Sequence, residues 1–190
     1  MGSFLNVIID RLPRGISIVH PPSHCDSCGH PLSSIDLIPL LSFFWLKGRC
    51  RYCQAKLSLR VPLVELATGI IFALLVMLYG ISPQFVMSIV YAGLFIPLFV
   101  IDMEHGILPD KIVFTGMALS LGFSFLWPGR GPINTLIGGG VGLGLLLVPY
   151  IISRRGMGLG DVKLAGFLGL AIGFPSVLVA LLLAILAGGV

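Results

Sequence analysis

Charged residues are scarce in this chain. They make up 11% of the 190 residues, against 56% hydrophobic residues, and the mean hydropathy is +1.04. Ordinary soluble domains carry about 25% charged residues. This scarcity excludes a soluble globular enzyme and predicts an all-α polytopic membrane protein.

Several familiar catalytic motifs are also missing. The sequence has no HExxH, the helical pattern of zinc proteases, and no GxSxG, the nucleophile motif of serine hydrolases. It offers no Ser and His pair suited to rhomboid-like chemistry. The glycines of "GMGLG" at 156–160 do not follow a strand, which argues against a nucleotide-binding loop.

Long apolar windows recur along the chain, and about 20 apolar residues cross about 30 Å of hydrocarbon. We predict six spans: Val61 to Tyr79, Ser82 to Ile101, Ile112 to Trp127, Ile133 to Ile152, Val162 to Phe174 and Pro175 to Val190. The last two are short and adjacent, so a single interrupted segment is an alternative. The opening stretch, Gly2 to Ile9, is too brief to span and lacks the features of a secretory signal, so we interpret it as the end of a helix.

Basic residues predict the orientation, because basic loops stay in the cytoplasm. Eleven of the twelve Lys and Arg residues fall on one side of the predicted spans, and Arg130 alone falls on the other. This asymmetry places residues 102–111 and 153–163 at the cytoplasmic surface. It also accounts for the net charge of +4 without a nucleic-acid partner.

The four cysteines form one pattern, Cys25-x-x-Cys28 and Cys50-x-x-Cys53. Two CxxC pairs are typical of a four-thiolate zinc site, which is closed and therefore structural. Two disulfides are the alternative, but the predicted cytosolic location disfavours them. His24 and His30 are adjacent alternative ligands that we interpret as solvated loop residues.

The chain therefore divides into three predicted parts. Residues 1–10 form a partial membrane segment, 11–60 a small cytosolic zinc module, and 61–190 a helical membrane domain. The module is too small to fold without its metal. Its apolar segment, Leu37 to Leu46, is expected to lie against the membrane surface or the first span.

Two aspartates lie at the predicted cytoplasmic ends of different spans. Asp102 follows "LFIPLFVI", and Asp161 follows Gly156, Gly158 and Gly160. Two carboxyl groups that share one proton can activate a water molecule, as in aspartic proteases. The missing side chains of Gly158 and Gly160 would let an extended substrate approach.

Simpler interpretations of the acidic residues stay open. Asp161 would also suit the first turn of a helix, and Asp102 would suit an interfacial charge paired with Lys111 or Arg155. Glu104 is close enough to Asp102 to be mistaken for it, and Asp110 is most simply a helix cap. A membrane adaptor with inert aspartates is one rival function, and an ion-coupled transporter is another, although no carboxylate lies deep in the last four spans.

Taken together, the motifs resemble those of the prepilin peptidases, the type IV leader peptidases of bacterial pilus and secretion systems. The resemblance covers nearly the whole chain: "GSFLNVIIDRLP" at 2–13, the double CxxC, "VPLVELATG" at 61–69, "IDMEHGILPD" at 101–110 and "GMGLGDVKL" at 156–164. It implies that Asp102 and Asp161 are the catalytic pair of a GxGD-type intramembrane aspartic protease. The implied location is the bacterial inner membrane, with the active site and zinc module facing the cytoplasm.

The implied substrates are type IV prepilins or pseudopilins, cut after a glycine that follows a short basic leader. Many members of that family also methylate the new amine with S-adenosylmethionine, and the cysteine module is associated with that type. Glu65, within the first span, is expected to pair with a basic residue or to help bind the substrate's amine. Lys163 orients Asp161 or, as we expect, marks the membrane boundary. Against the family pattern, the chain is expected to be trimmed at both ends or to be a short variant.

Overall fold

The computed structural model describes residues 2–20, 22–25, 27–33, 41–152 and 158–188. Within these ranges the chain is helical, and β structure is confined to two isolated bridges. Eight α-helices follow one another: α1 (Gly2–Arg11), α2 (Leu41–Trp45), α3 (Arg60–Tyr79), α4 (Pro83–His105), α5 (Asp110–Phe123), α6 (Gly131–Ile152), α7 (Leu159–Ile172) and α8 (Ser176–Gly188). The predicted all-helical character is confirmed.

Among the described residues, three helices are long and apolar enough to cross a membrane, by length and composition: α3 with 20 residues, α4 with 23 and α6 with 22. The other three predicted spans correspond to α5, α7 and α8, which have 14, 14 and 13 residues. These fall short of the roughly 20 residues that a straight crossing needs. The prediction of six helical segments is therefore supported, while six membrane crossings stay a prediction.

Three predicted boundaries differ from the observed helix ends by three or four residues. The second window was expected to end at Ile101, but α4 continues to His105. The third window was expected to reach Trp127, but α5 ends at Phe123 and the chain then turns, with the Trp127 amide bonded to the Phe123 carbonyl. The fifth window was expected to begin at Val162, but α7 begins at Leu159. It starts early because the Asp161 carboxylate accepts a hydrogen bond from the Gly158 amide and so completes the first turn.

Glycines end several helices. Gly80 follows α3 with φ 58°, Gly106 follows α4 with φ 62°, and Gly173 follows α7 with φ 75°. Left-handed backbone of this kind costs other residues energy, and glycine adopts it freely. The break at Gly173 separates α7 from α8, so the last two windows form two helices.

The chain forms two compact units. The first comprises Met1–Ile81 and Phe95–His105, and the second comprises Ser82–Leu94 and Gly106–Val190. In the first unit α1 packs against α3, and a Cβ at Gly2 would lie 2.8 Å from the Glu65 Cα. Only glycine allows that approach, so Gly2 is what lets the start of α1 pack closely against α3.

In the second unit the most extensive packing joins α6 to α7. Gly138, Gly139 and Gly142 of α6 face Gly166 and Gly169 of α7 and their neighbours. Small residues let the two backbones approach closely, which is the usual way that helices associate in a membrane. This packing fixes the position of α7 against α6, and the first turn of α7 contains Asp161.

Candidate functional site

The four cysteines converge in the structure. The Sγ atoms of Cys25, Cys28, Cys50 and Cys53 all lie within 4.8 Å of one another, and all four thiols are free. The Cys25 and Cys53 sulfurs are 3.8 Å apart, which matches the edge of about 3.8 Å for a tetrahedron with Zn–S bonds of about 2.3 Å. The arrangement can hold a metal ion, and this separation is too long for a disulfide.

The two CxxC segments have the same backbone structure. In the first, the Cys25 amide donates to the His30 carbonyl and the Gly29 amide to the Cys25 carbonyl. In the second, the Cys50 amide donates to the Ala55 carbonyl and the Gln54 amide to the Cys50 carbonyl. Both turns need positive φ after the second cysteine, 69° at Gly29 and 59° at Gln54. Each segment thus presents its two sulfurs from a tight turn, as a tetrahedral site requires.

The electrostatics of the cluster favour a bound cation. Backbone amides of Cys28 and Ser27 lower the pKa of the Cys25 thiol to about 6. The pKa of the Cys53 thiol is raised to about 11: the Ala55 amide lowers it, but desolvation and the three neighbouring thiols outweigh that effect. Four thiolates cannot accumulate so close together unless a cation compensates their charge.

The neighbouring histidines have other roles. His24 Nδ1 lies 3.0 Å from the Pro22 carbonyl oxygen, and His30 Nδ1 lies 2.8 Å from the Pro31 carbonyl oxygen. The His30 ring also stacks on Tyr52, with centroids 3.7 Å apart. His30 is therefore not simply solvated, since it joins the first cysteine turn to the second.

Asp102 lies near the end of α4, in the first unit, and its side chain is exposed. The preceding residue, Ile101, is fully buried. Asp161 lies in the second unit, where its side chain is also exposed. The pairing of Asp102 with Asp161 stays a prediction. Arg155, one of the alternative partners of Asp102, and Gly156 lie outside the described residues.

Asp161 has a structural role as well as its predicted chemical one. Its Oδ2 accepts the Gly158 amide at 3.2 Å, and its own amide donates to the Gly158 carbonyl. The structure therefore confirms that Asp161 lies in the first turn of α7. The other carboxylate oxygen, Oδ1, is not part of this contact.

The two glycines before Asp161 differ in their surroundings. Gly158 has φ −80°, which any residue adopts. A Cβ at Gly160 would lie 3.2 Å from the Leu108 Cδ1, so this glycine makes room for the loop after α4. Their predicted role in substrate binding stays a prediction.

Glu65 is buried in the first unit, where it accepts a hydrogen bond from the Ser3 hydroxyl at 3.1 Å. Asn6 lies on the same side of α1 and donates to the Val61 carbonyl at 3.2 Å. Glu65 thus helps to join α1 to α3. Its predicted role in binding a substrate amine stays a prediction.

Two ion-pair groups were missed by sequence reasoning. Lys163 donates to both carboxylate oxygens of Asp110, so Lys163 is more than a boundary marker. The prediction that Asp110 caps the helix is wrong, because Asp110 is the first residue of α5, the cap position is Pro109, and no side-chain capping hydrogen bond forms there. Arg60 contacts Asp10 at 2.5 Å and Glu104 at 2.8 Å. The partners lie 44 to 53 residues apart along the chain, so no local pattern could have identified them.

Two family models match the chain. The "Bacterial Peptidase A24 N-terminal domain" matches residues 1–79, and the "Type IV leader peptidase family" matches residues 89–190. The second match contains Asp102, Gly158, Gly160 and Asp161. No solved structure matches the chain.

Similar proteins occur in several bacteria. A Myxococcus xanthus protein named "Prepilin leader peptidase/N-methyltransferase" is 37% identical over 100% of this chain, which spans 58% of that protein's length. Proteins of the same name from Aeromonas salmonicida and Bacillus subtilis are 32% and 30% identical, and the chain spans 76% of each.

Proposed function

The chain belongs to the type IV leader peptidase family, and from that premise we propose that it is an aspartic endopeptidase of the bacterial inner membrane. It removes the basic leader of type IV prepilins or pseudopilins at the cytoplasmic face. The observation that carries the proposal is the family match over residues 89–190, which contains both aspartates at helix ends. Six membrane crossings, with α5, α7 and α8 as short spans, belong to the same proposal.

In the proposed chemistry Asp102 and Asp161 share one proton. The ionised carboxylate takes a proton from water while the oxygen of that water attacks the scissile carbonyl carbon, and the protonated carboxyl donates to the carbonyl oxygen. The tetrahedral intermediate then collapses: its C–N bond breaks and the departing amine takes up a proton. Both side chains are exposed, as contact with water and substrate requires.

The proposed substrate fits the orientation predicted by the basic residues. An apolar helix holds the prepilin in the bilayer, and its basic leader stays in the cytosol. The scissile bond would then lie near the cytoplasmic membrane surface, where the predicted orientation puts Asp102 and Asp161. Gly158 and Gly160 would leave room for the extended substrate backbone, and Glu65 would help to bind its amine.

The metal in the proposal is a structural zinc ion held by Cys25, Cys28, Cys50 and Cys53. The sulfur geometry supports this assignment. Four protein ligands leave no open position for substrate, so the ion would supply folding energy to the module and no catalytic group.

N-methylation of the new amine is the finer part of the proposal, and it rests on the printed names of the relatives. S-adenosylmethionine would supply the methyl group. A groove of about 270 Å³ in the second unit is lined by Met117, Leu136, Leu143, Leu170 and four glycines. That lining offers little hydrogen bonding to an adenosyl group, so we assign no donor site there.

The deciding experiment is cleavage of a prepilin by the purified protein in detergent, followed by mass spectrometry. We expect loss of the leader from the substrate, and one added methyl group when S-adenosylmethionine is present. Asp102→Asn and Asp161→Asn should each abolish cleavage while circular dichroism stays helical, and Asp110→Asn is the matched control. Cleavage that survives both substitutions would refute the aspartic mechanism, whereas a folded wild-type protein that cleaves no prepilin would favour a non-catalytic adaptor.

A further inference from the structure

An ion-pair cluster in the first unit joins three helices beside Asp102. Arg60, the first residue of α3, contacts Asp10 of α1 through Nη2 at 2.5 Å and Glu104 of α4 through Nη1 at 2.8 Å. The Arg60 side chain is only 20% exposed. One guanidinium therefore holds the ends of α1 and α4 at the start of α3.

The cluster holds the segment of α4 that carries Asp102. Pro97 lies inside α4, and a proline within a helix removes one backbone hydrogen bond, here the one to the Gly93 carbonyl. The segment after Pro97 is thus less firmly tied to the first part of the helix. Leu98 and Ile101 are buried and hold one face of it.

The position of Glu104 determines what the Arg60 contact does to Asp102. Successive helical residues are about 100° apart, so Asp102 and Glu104 point about 200° apart around α4. A fixed contact at Glu104 therefore limits rotation of this segment about its axis. Because Asp102 is on the same rigid turn, that limit also sets the direction of its carboxylate.

We propose that Arg60 is a positioning residue: through Glu104 it fixes the rotation of the end of α4 and so holds Asp102 in its working direction. The expected effect of Arg60 on the cleavage rate rests on the function proposed above. A charge-assisted bond with a planar guanidinium suits this task, because the fork engages two carboxylates in a fixed geometry. Arg60 itself contacts neither substrate nor reacting atoms.

The test combines kinetics with amide hydrogen exchange in the full chain. Arg60→Gln and Glu104→Gln should each lower kcat by about tenfold to a hundredfold, because small misplacements of a reacting group have effects of this size. KM should stay within about twofold, since binding is not altered. Arg60→Lys keeps the charge, so its kcat should lie between those of the wild type and Arg60→Gln. The double variant, with Arg60→Gln and Glu104→Gln together, should be no slower than the slower of the two single variants.

Exchange and zinc content separate positioning from misfolding. We expect faster exchange of the amides at 99–105 in Arg60→Gln and Glu104→Gln, with zinc retained. Arg14→Gln, a change of an exposed arginine in the loop after α1, is the matched control and should alter neither measurement. If Arg60→Gln does not fold, Glu104→Gln carries the test.

Each outcome has one meaning. Unchanged kcat, unchanged exchange at 99–105, or strictly additive effects in the double variant would overturn the positioning role. A wild-type protein that cleaves no prepilin would overturn the proposed function instead, and faster exchange in the variants would then support the contact with α4 alone. The two failures are therefore distinguishable.

Discussion

Lys163 of α7 donates to both carboxylate oxygens of Asp110, the first residue of α5, at 2.8 and 3.0 Å. The ammonium group also lies 5.5 Å from the centre of the Phe114 ring. The ion pair joins the starts of α5 and α7 two residues beyond Asp161. Both side chains keep contact with solvent, 33% exposed for Lys163 and 57% for Asp110.

We expect Asp110→Asn and Lys163→Gln to lower the free energy of unfolding by at most about 1 kcal/mol, because water and salt screen an exposed ion pair. Prepilin cleavage should persist in both variants. Thermal unfolding in detergent at low and high salt, together with the cleavage assay, checks this. Loss of cleavage in Asp110→Asn with the fold intact would show that Asp110 belongs to the reacting pair.

Gly138 and Gly169 pack backbone against backbone between α6 and α7. A Cβ at Gly138 would lie 2.5 Å from the Gly169 carbonyl oxygen, and real Cβ atoms do not approach so closely. We expect Gly138→Ala to cost about 1–3 kcal/mol of stability, the usual range for overpacking. Gly140→Ala is the matched control on the same helix, since nothing lies within 4 Å of its Cβ position. Equal melting temperatures for the two variants would contradict the close packing.

The cysteine cluster should bind one zinc ion per chain. We expect Cys25→Ser and Cys50→Ser to lose the metal, because a hydroxyl is a poor replacement for a thiolate ligand. His24→Ala and His30→Ala should keep it, which separates the four-thiolate site from the histidine alternatives. Elemental analysis of the purified variants measures this directly. Acidification should release the ion from the wild type, because protons compete for the thiolates.

The side chain of Asn134 in α6 makes two hydrogen bonds with the backbone of Phe174, both at 2.9 Å. Its Nδ2 donates to the Phe174 carbonyl, and its Oδ1 accepts from the Phe174 amide. These bonds lie at the break between α7 and α8, where the backbone groups lose their helical partners. We expect Asn134→Ala to lower stability by about 1 kcal/mol, since two hydrogen bonds are lost but water can reach the exposed backbone groups. Ile133→Ala, which truncates an exposed neighbour, should have a smaller effect. Thermal unfolding measured side by side decides the matter.

The secondary structure followed closely from the sequence, because apolar windows and helix-ending glycines are local signals. Every predicted window contains a helix, and the break at Phe174-Pro175 separates two helices. The errors lie at the ends. Helix α7 begins before the apolar run because one side-chain contact, Asp161 to Gly158, completes its first turn.

The cysteine cluster was also predicted correctly, because ligand spacing within each CxxC pair is local and four thiols have few other uses together. The roles of the charged residues were predicted less well. Asp110 was expected to be a cap, yet its partner Lys163 lies 53 residues away. From the sequence, Arg60 is only one of the basic residues that predict the orientation in the membrane, yet in the structure it contacts both Asp10 and Glu104.

The sequence by itself determined the helical class, the apolar segments and the four-thiol set, since each depends on residues that are neighbours along the chain. The tertiary structure alone decided which charge meets which, how α1 lies on Glu65, and why α6 needs glycine where it faces α7. Such contacts form between residues far apart in sequence, and their energy depends on distances that no spacing along the chain specifies.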